Sequence, residues 1–145
     1  MKRYFAIIPL ILLALSSCAQ KGEVYATRKG AIQGYDPVAY FTDQQPVKGS
    51  DNHTYEWKGA TWHFVSAENA QVFKENPEQY APQYGGYCAY AVANGYTAKI
   101  DPEAWKIVDG KLYLNYNKKV QADWEANQTD FIQQANQNWP QLLEE

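Results

Sequence analysis

From His53 to Phe64 the chain reads HTYEWKGATWHF, alternating large apolar and polar side chains and breaking only at Lys58-Gly59. Successive side chains of a strand point to opposite faces, so this pattern predicts a β-hairpin closed by a two-residue turn. Such a turn pairs Trp57 with Ala60, Tyr55 with Trp62 and His53 with Phe64. One face then carries His53, Tyr55, Trp57, Trp62 and Phe64, and the other Thr54, Glu56, Thr61 and His63. The aromatic face is the one to bury, which sends His63 to solvent and leaves His53 at the edge of the packed face. Asp109-Gly110 signals a second hairpin, with Trp105, Ile107, Leu112 and Leu114 on one face.

Elsewhere the apolar period is helical. Ser66 is placed to cap a helix running from Ala67 to about Glu75, with Ala70 and Phe73 on one side. Asn76-Pro77 restarts a helix with proline at its first position, and Pro82 closes that piece. Gly85-Gly86 is a turn signal, CAYAVAN suits a helix that Gly95 would close, and Cys88 then lies in the first turn. From Asn117, Val120 and Trp124 stand four apart. Ile132, Ala135 and Trp139 follow after a restart at Thr129, and Pro140 is expected to end the helix. Short strands and helices alternate without a βαβ repeat, so the expected class is α+β, a compact single domain with two short hairpins and several short helices.

The first residues belong to a different regime. Lys2 and Arg3 precede the apolar run Tyr4 to Leu15, which is too short to span a bilayer and reads as a secretory signal. The run ends in LSSC, Leu15 to Cys18, which resembles a bacterial lipobox. The resemblance implies cleavage before Cys18 and lipidation of that residue; cleavage near the same place by ordinary signal peptidase is the alternative. The expected division is a signal peptide at 1–17, a lipidated cysteine and flexible tether at 18–28, and a domain at 29–145. The mature protein would be exported and membrane-anchored, facing the periplasm, and on the outer membrane where the host has two, since Ala19 rather than Asp follows Cys18.

Charge adds an exclusion. The chain has 13 Lys and Arg against 16 Asp and Glu, a formal net charge of −3, which does not suit a nucleic-acid partner. There are 2 cysteines, and a lipidated Cys18 cannot pair, so Cys88 is left as a lone thiol in an oxidising compartment. A thiol in the first turn of a helix meets unpaired N–H groups and the positive end of the helix dipole, which lower its pKa and make it a nucleophile or a soft-metal ligand. The competing reading is a small hydrophobe packed in the core. Tyr84, Tyr87 and Tyr90 flank it as candidate walls of a ligand pocket. Neither histidine stands in a zinc-type spacing, and Asp36-Pro37 is expected to fix a turn.

GYDPVAYF (Gly34 to Phe41), EWKGATWHF, FVSAENAQVF (Phe64 to Phe73), NPEQYAP and QYGGYCAYA, in that order, resemble the YHS-domain family, especially its small exported members, over roughly residues 30–143. The resemblance implies a compact α+β module associated with heavy-metal handling. Its metal-binding members carry thiols in DPVCG-like and FCSxxxC-like strings; here Ala39, Val65 and Asn69 stand at those three positions. The exported subgroup instead carries GGYCAYA, and the resemblance implies that the cysteine matching Cys88 can be selenocysteine there. It also places a histidine where His53 stands.

Three functions follow. The first is capture of a soft metal ion such as copper through Cys88, with His53 or a tyrosine as co-ligand and a homodimer sharing two Cys88 thiols as a way to complete the site. The second is thiol redox chemistry at Cys88, the catalytic residue in that case, with an external reductant and a small redox partner. The third is a membrane-tethered interaction domain with an inert thiol. The balance leans away from an enzyme.

Overall fold

A computed structural model describes residues 22–145, so the expected signal peptide and Cys18 lie outside the described residues. The class is α+β, as expected. Three antiparallel two-stranded ribbons are interleaved with short helices: β1 (Ala26–Thr27) with β2 (Gly30–Ala31), β3 (Ser50–Trp57) with β4 (Ala60–Phe64), and β5 (Asp101–Val108) with β6 (Lys111–Asn115). The helices are α1 (Ala39–Thr42), α2 (Ala67–Glu75), α3 (Pro77–Tyr80), α4 (Ala89–Ala93), α5 (Lys118–Glu125) and α6 (Gln128–Leu143). Among the described residues no helix is long and apolar enough to cross a membrane.

Both hairpin turns are closed by two residues of positive φ, Lys58 (49°) with Gly59 (74°) and Asp109 (51°) with Gly110 (75°). That handedness matches the twist of the flanking strands. Trp57 pairs with Ala60 and Tyr55 with Trp62, but a bulge between Ser50 and Thr54 shifts the register, so Phe64 faces Ser50 and not His53. Between these pairs β3 advances four residues while β4 advances one, and extra residues on one strand make the pairing slip.

The second correction concerns His63. It pairs with Thr54 on the face expected to meet solvent, yet its side chain is only 12% exposed. The covering element is β2, whose role the aromatic pattern of β3 and β4 could not reveal. A Cβ on Gly30 would lie 2.5 Å from the imidazole, and one on Gly49 would lie 2.5 Å from the His63 backbone. Close approach of backbone to backbone at these two places requires glycine.

Residues assigned to a flexible tether are already part of the fold from Val24 onward. Val24 is buried, the Tyr25 N–H donates to Gly85 O at 2.9 Å, and Tyr25 O accepts from Ile32 N at 2.9 Å. Ser66 caps α2 by accepting from Asn69 N, and Asn117 caps α5 by accepting from Val120 N. α6 begins at Gln128 and continues through Pro140. Proline costs a helix one hydrogen bond; here the turn beyond it seats Leu142 at 3% exposure in the core, a burial that offsets the loss.

Two apolar cores share β6 and α4. The first gathers Trp62, Phe64, Phe73, Ile32, Tyr40, Leu112 and Leu114; the second gathers Tyr84, Tyr113, Trp124, Ala135 and Leu142. Residues adjacent in sequence go opposite ways: Leu112 and Leu114 into one core, Tyr113 into the other. The predicted face of the second hairpin, Trp105 with Leu114 and Ile107 with Leu112, is thus correct. Part of its other face is buried as well, at Tyr113 and Asn115, while Lys106 and Lys111 are exposed.

Candidate functional site

Cys88 stands immediately before α4, with its side chain in the first core and 1% exposure. Gly95 (φ 88°) closes that helix, with Gly95 N–H donating to Val92 O at 3.0 Å and Tyr96 N–H to Ala91 O at 3.1 Å, the paired bonds of a Schellman motif. The helix and its closing glycine are therefore as expected, whereas Cys88 precedes the helix instead of lying in its first turn, and the state of its thiol is the opposite. Burial pushes the Cys88 pKa up, and the N–H groups of Ala91, Tyr116 and Tyr90 around the sulfur offset only part of that.

Asn115 supplies a further reason. It is fully buried at the end of β6, and its Oδ1 accepts from Tyr90 N at 3.0 Å and from the Cys88 thiol at 3.6 Å. The amide of Asn115 thus caps the helix that was expected to stabilise a thiolate, and its carbonyl oxygen favours the protonated thiol. Asn115 Nδ2 has no hydrogen-bond partner among the described residues. A helix of five residues also offers little dipole.

The other predicted site residues do not surround the sulfur. Tyr84 turns into the second core, its ring against Tyr113 and Trp139 and its hydroxyl donating to Asn136 Oδ1 at 2.9 Å. Tyr87 packs on Tyr25 and Trp139 and donates to Gly22 O at 2.9 Å, while the Tyr90 ring lies on Phe131. His53 is partly buried on β3, which packs on β4 and α2, whereas α4 packs on β6, α5 and α6. No hydrogen bond or ion pair joins His53 to Cys88 among the described residues.

A soft ion such as Cu(I) needs more than one thiolate, thioether or imidazole ligand. Around Cys88 stand a carboxamide oxygen, a hard donor that adds little for a soft ion, and N–H donors, which offer a cation no ligand. The residues present do not fit such an ion, and among the described residues no three His, Cys, Asp or Glu side chains could hold a metal. The three positions at which metal-binding YHS sequences carry thiols do converge in space, but on a carboxylate. Asp36, fully buried, accepts from Val38 N (2.8 Å) and Ala39 N (3.3 Å) at Oδ1, and from Val65 N (2.9 Å) and Asn69 Nδ2 (2.8 Å) at Oδ2. Asp36 fixes the turn expected of it and also ties that turn to β4 and α2.

The sequence reading missed a cleft of about 410 Å³ between the tip of the first hairpin, residues 81–85 and the end of α6. Trp57, Tyr84, Trp139 and Leu143 line it, with Lys58, Glu78 and Lys111 among its polar groups. Lys58 Nζ lies 3.4 Å from Glu78 Oε1 and 4.6 Å from the centre of the Trp57 ring. At the base of the cleft Tyr84 holds φ 59° and ψ 36°, followed by Gly85 at φ 62°. A bulky residue in the left-handed region is strained, and such residues cluster at ligand sites. The tyrosine-rich QYGGY string was a signal for this cleft, read as belonging to the thiol.

The molecule is thus a small α+β domain with a thiol sealed in its core and an open aromatic cleft on its surface. Comparison with known families matches the YHS domain to residues 38–84, from the Asp36 corner to the strained tyrosine; the domain is associated with metal binding in general. No curated protein and no solved structure matches the chain.

Proposed function

We propose that the protein is a non-enzymatic binding module, held outside the cytoplasm by lipid on Cys18, which takes its ligand in the aromatic cleft and uses Cys88 as part of its frame. The observation that carries this reading is the cleft itself, aromatic walls over a strained backbone with two lysines and two glutamates at its rim. Concave sites where aromatic side chains meet a few convergent polar groups are a common form of small-molecule site. Ring faces of Trp57 and Trp139 would stack on a flat or apolar ligand; Lys58 is paired with Glu78, so Lys111, with no carboxylate within 4 Å among the described residues, is the cation that would favour a negatively charged group.

The thiol readings have less support. Metal capture and peroxide reduction both need a thiolate that solvent can reach, and Cys88 has neither exposure nor a lowered pKa. Anchoring rests on the LSSC string: a diacylglyceryl and an acyl chain together give stable membrane attachment. Mass spectrometry of the mature N-terminus should find Cys18 lipidated, and a Cys18→Ser form should leave the membrane fraction; an unmodified N-terminus would remove this part of the proposal.

The cleft is tested with the anionic aromatic dye 8-anilinonaphthalene-1-sulfonate. The folded protein should bind one equivalent saturably, Lys111→Glu and Leu143→Asp should each weaken binding severalfold, and Cys88→Ala should leave it unchanged. Lys111 and Leu143 are exposed, so these changes spare the fold. Binding that ignores both cleft variants, or that disappears in a folded Cys88→Ala form, would refute the reading.

A further inference from the structure

On another face lies a second cleft of about 520 Å³, lined by Arg28, Lys29, Gln33, Lys48, Ser50, Asp51 and His63 together with Gly34 and Gly49. No apolar side chain contributes to it. In a chain with a net charge of −3, three cations gather here, and none of them has a carboxylate within 4 Å among the described residues. The one acidic side chain, Asp51, is shared with the His63 imidazole, Nδ1 to Oδ1 3.4 Å. Like charges held together without counter-charge repel one another, and an anion between them relieves that cost.

The cleft is also built, not a chance gathering of mobile side chains. Its walls come from the β1–β2 turn, the left-handed segment Ile32–Gly34 (φ 44°, 60° and 82°) and residues 48–51, with His63 of β4 beside them. Gly49 N donates to Gly34 O at 2.8 Å, and Gln33 Nε2 donates to Tyr25 OH and Ile100 O, pinning the segment. The imidazole of His63 is seated by the two glycines described above, and backbone held in sparsely populated regions is a mark of ligand sites.

We infer that this cleft binds a phosphate-type oxyanion, bound through Arg28, Lys29 and Lys48 with His63 beside it. Arginine and lysine together suit a phosphate, the first by its fork of donors and the second as a point charge. The wholly polar lining and the volume, larger than a lone oxyanion needs, suit a phosphate ester of a polar alcohol. That chemistry is offered by a soluble ester or by the headgroup of an anionic phospholipid. The site is separate from the aromatic cleft and goes beyond the function proposed for it.

The protein has 2 histidines, so their ring resonances report the two hairpin positions separately. Inorganic phosphate, glycerol 3-phosphate and a short-chain phosphatidylglycerol below its micelle concentration would each be titrated into the mature protein. The His63 ring should shift saturably while His53 does not. Arg28→Glu with Lys48→Glu, both exposed positions, should weaken binding about tenfold or more, and Lys118→Glu on α5 should leave it unchanged. Tighter binding of the short-chain lipid than of glycerol 3-phosphate assigns the headgroup; equal or weaker binding of the lipid assigns a soluble ester. No saturable shift at millimolar probe, or one undiminished in the double variant, overturns the inference.

Discussion

Asp36 offers the sharpest test of how the corner GYDPVAY works, because its four hydrogen bonds can be counted. Replacing it by alanine leaves the N–H groups of Val38 and Val65, bonded at 2.8 and 2.9 Å, without an acceptor. Ala39 N, at 3.3 Å, loses a weaker bond, and the Asn69 amide can turn outward. A buried donor left unpaired costs about 1–3 kcal/mol, and the part-buried Val65 N–H falls at the low end of that range. Removing a buried carboxylate recovers some desolvation energy, so the net loss expected for Asp36→Ala is about 3–5 kcal/mol. Asp36→Asn keeps the shape but turns an NH₂ group toward one pair of donors, for a loss of about 2–3 kcal/mol; Asn69→Ala removes one bond, at about 1 kcal/mol. Urea unfolding followed by tryptophan fluorescence gives all three. An Asp36→Ala protein within 1 kcal/mol of the parent would show that the carboxylate does not hold the corner to β4 and α2.

Other perturbations separate the two hairpin faces and the state of the buried groups. Trp62→Ala, which empties a fully buried ring site, should cost about 3–5 kcal/mol, against about 1–2 kcal/mol for His63→Ala, whose ring is partly exposed; the reverse order in the same urea assay would refute the packing described. Iodoacetamide should leave Cys88 unmodified in folded protein from pH 7 to 9 and label it fully in denaturant, because burial both shields the thiol and raises its pKa; rapid labelling of folded Cys18→Ser protein would contradict this. Burial raises the pKa of Tyr40 and Tyr84, so the folded state keeps protons that the unfolded state releases. Stability should be full below about pH 10 and fall above it by up to about 1.4 kcal/mol per pH unit for each tyrosine; a urea midpoint that is the same at pH 9 and pH 11 would count against it.

Much of the framework was legible because it is local. Turn residues, strand alternation and caps act over two to four positions, and Lys58-Gly59, Asp109-Gly110, Ser66 and Gly95 each specify their element without help from distant chain. What failed depended on something far away in sequence. The bulge that separates His53 from Phe64 lies outside the regular alternation, and His63 is covered by β2, a strand of two residues too short to leave a periodic signal. Pro140 marks a helix end by local rules, but burial of Leu142 beyond it overrides them.

Cys88 shows where the boundary between local and tertiary information falls. The glycine pair, the helix and its closing residue were all readable, and from these a lowered pKa follows by a sound local argument. The argument omits two facts that only the folded chain supplies. β6 brings Asn115 across 27 residues to occupy the Tyr90 N–H and accept from the thiol, and the shared position of α4 between two cores removes the sulfur from water. A helix terminus lowers a thiol's pKa only while its N–H groups outweigh the loss of water; here the N–H groups that still reach the sulfur offset only part of the desolvation, and the sign of the shift reverses. The same logic explains the Asp36 corner, where Ala39, Val65 and Asn69 converge around a carboxylate. Convergence of positions is a property of the fold, but what the convergence binds is set by the side chain that arrives there.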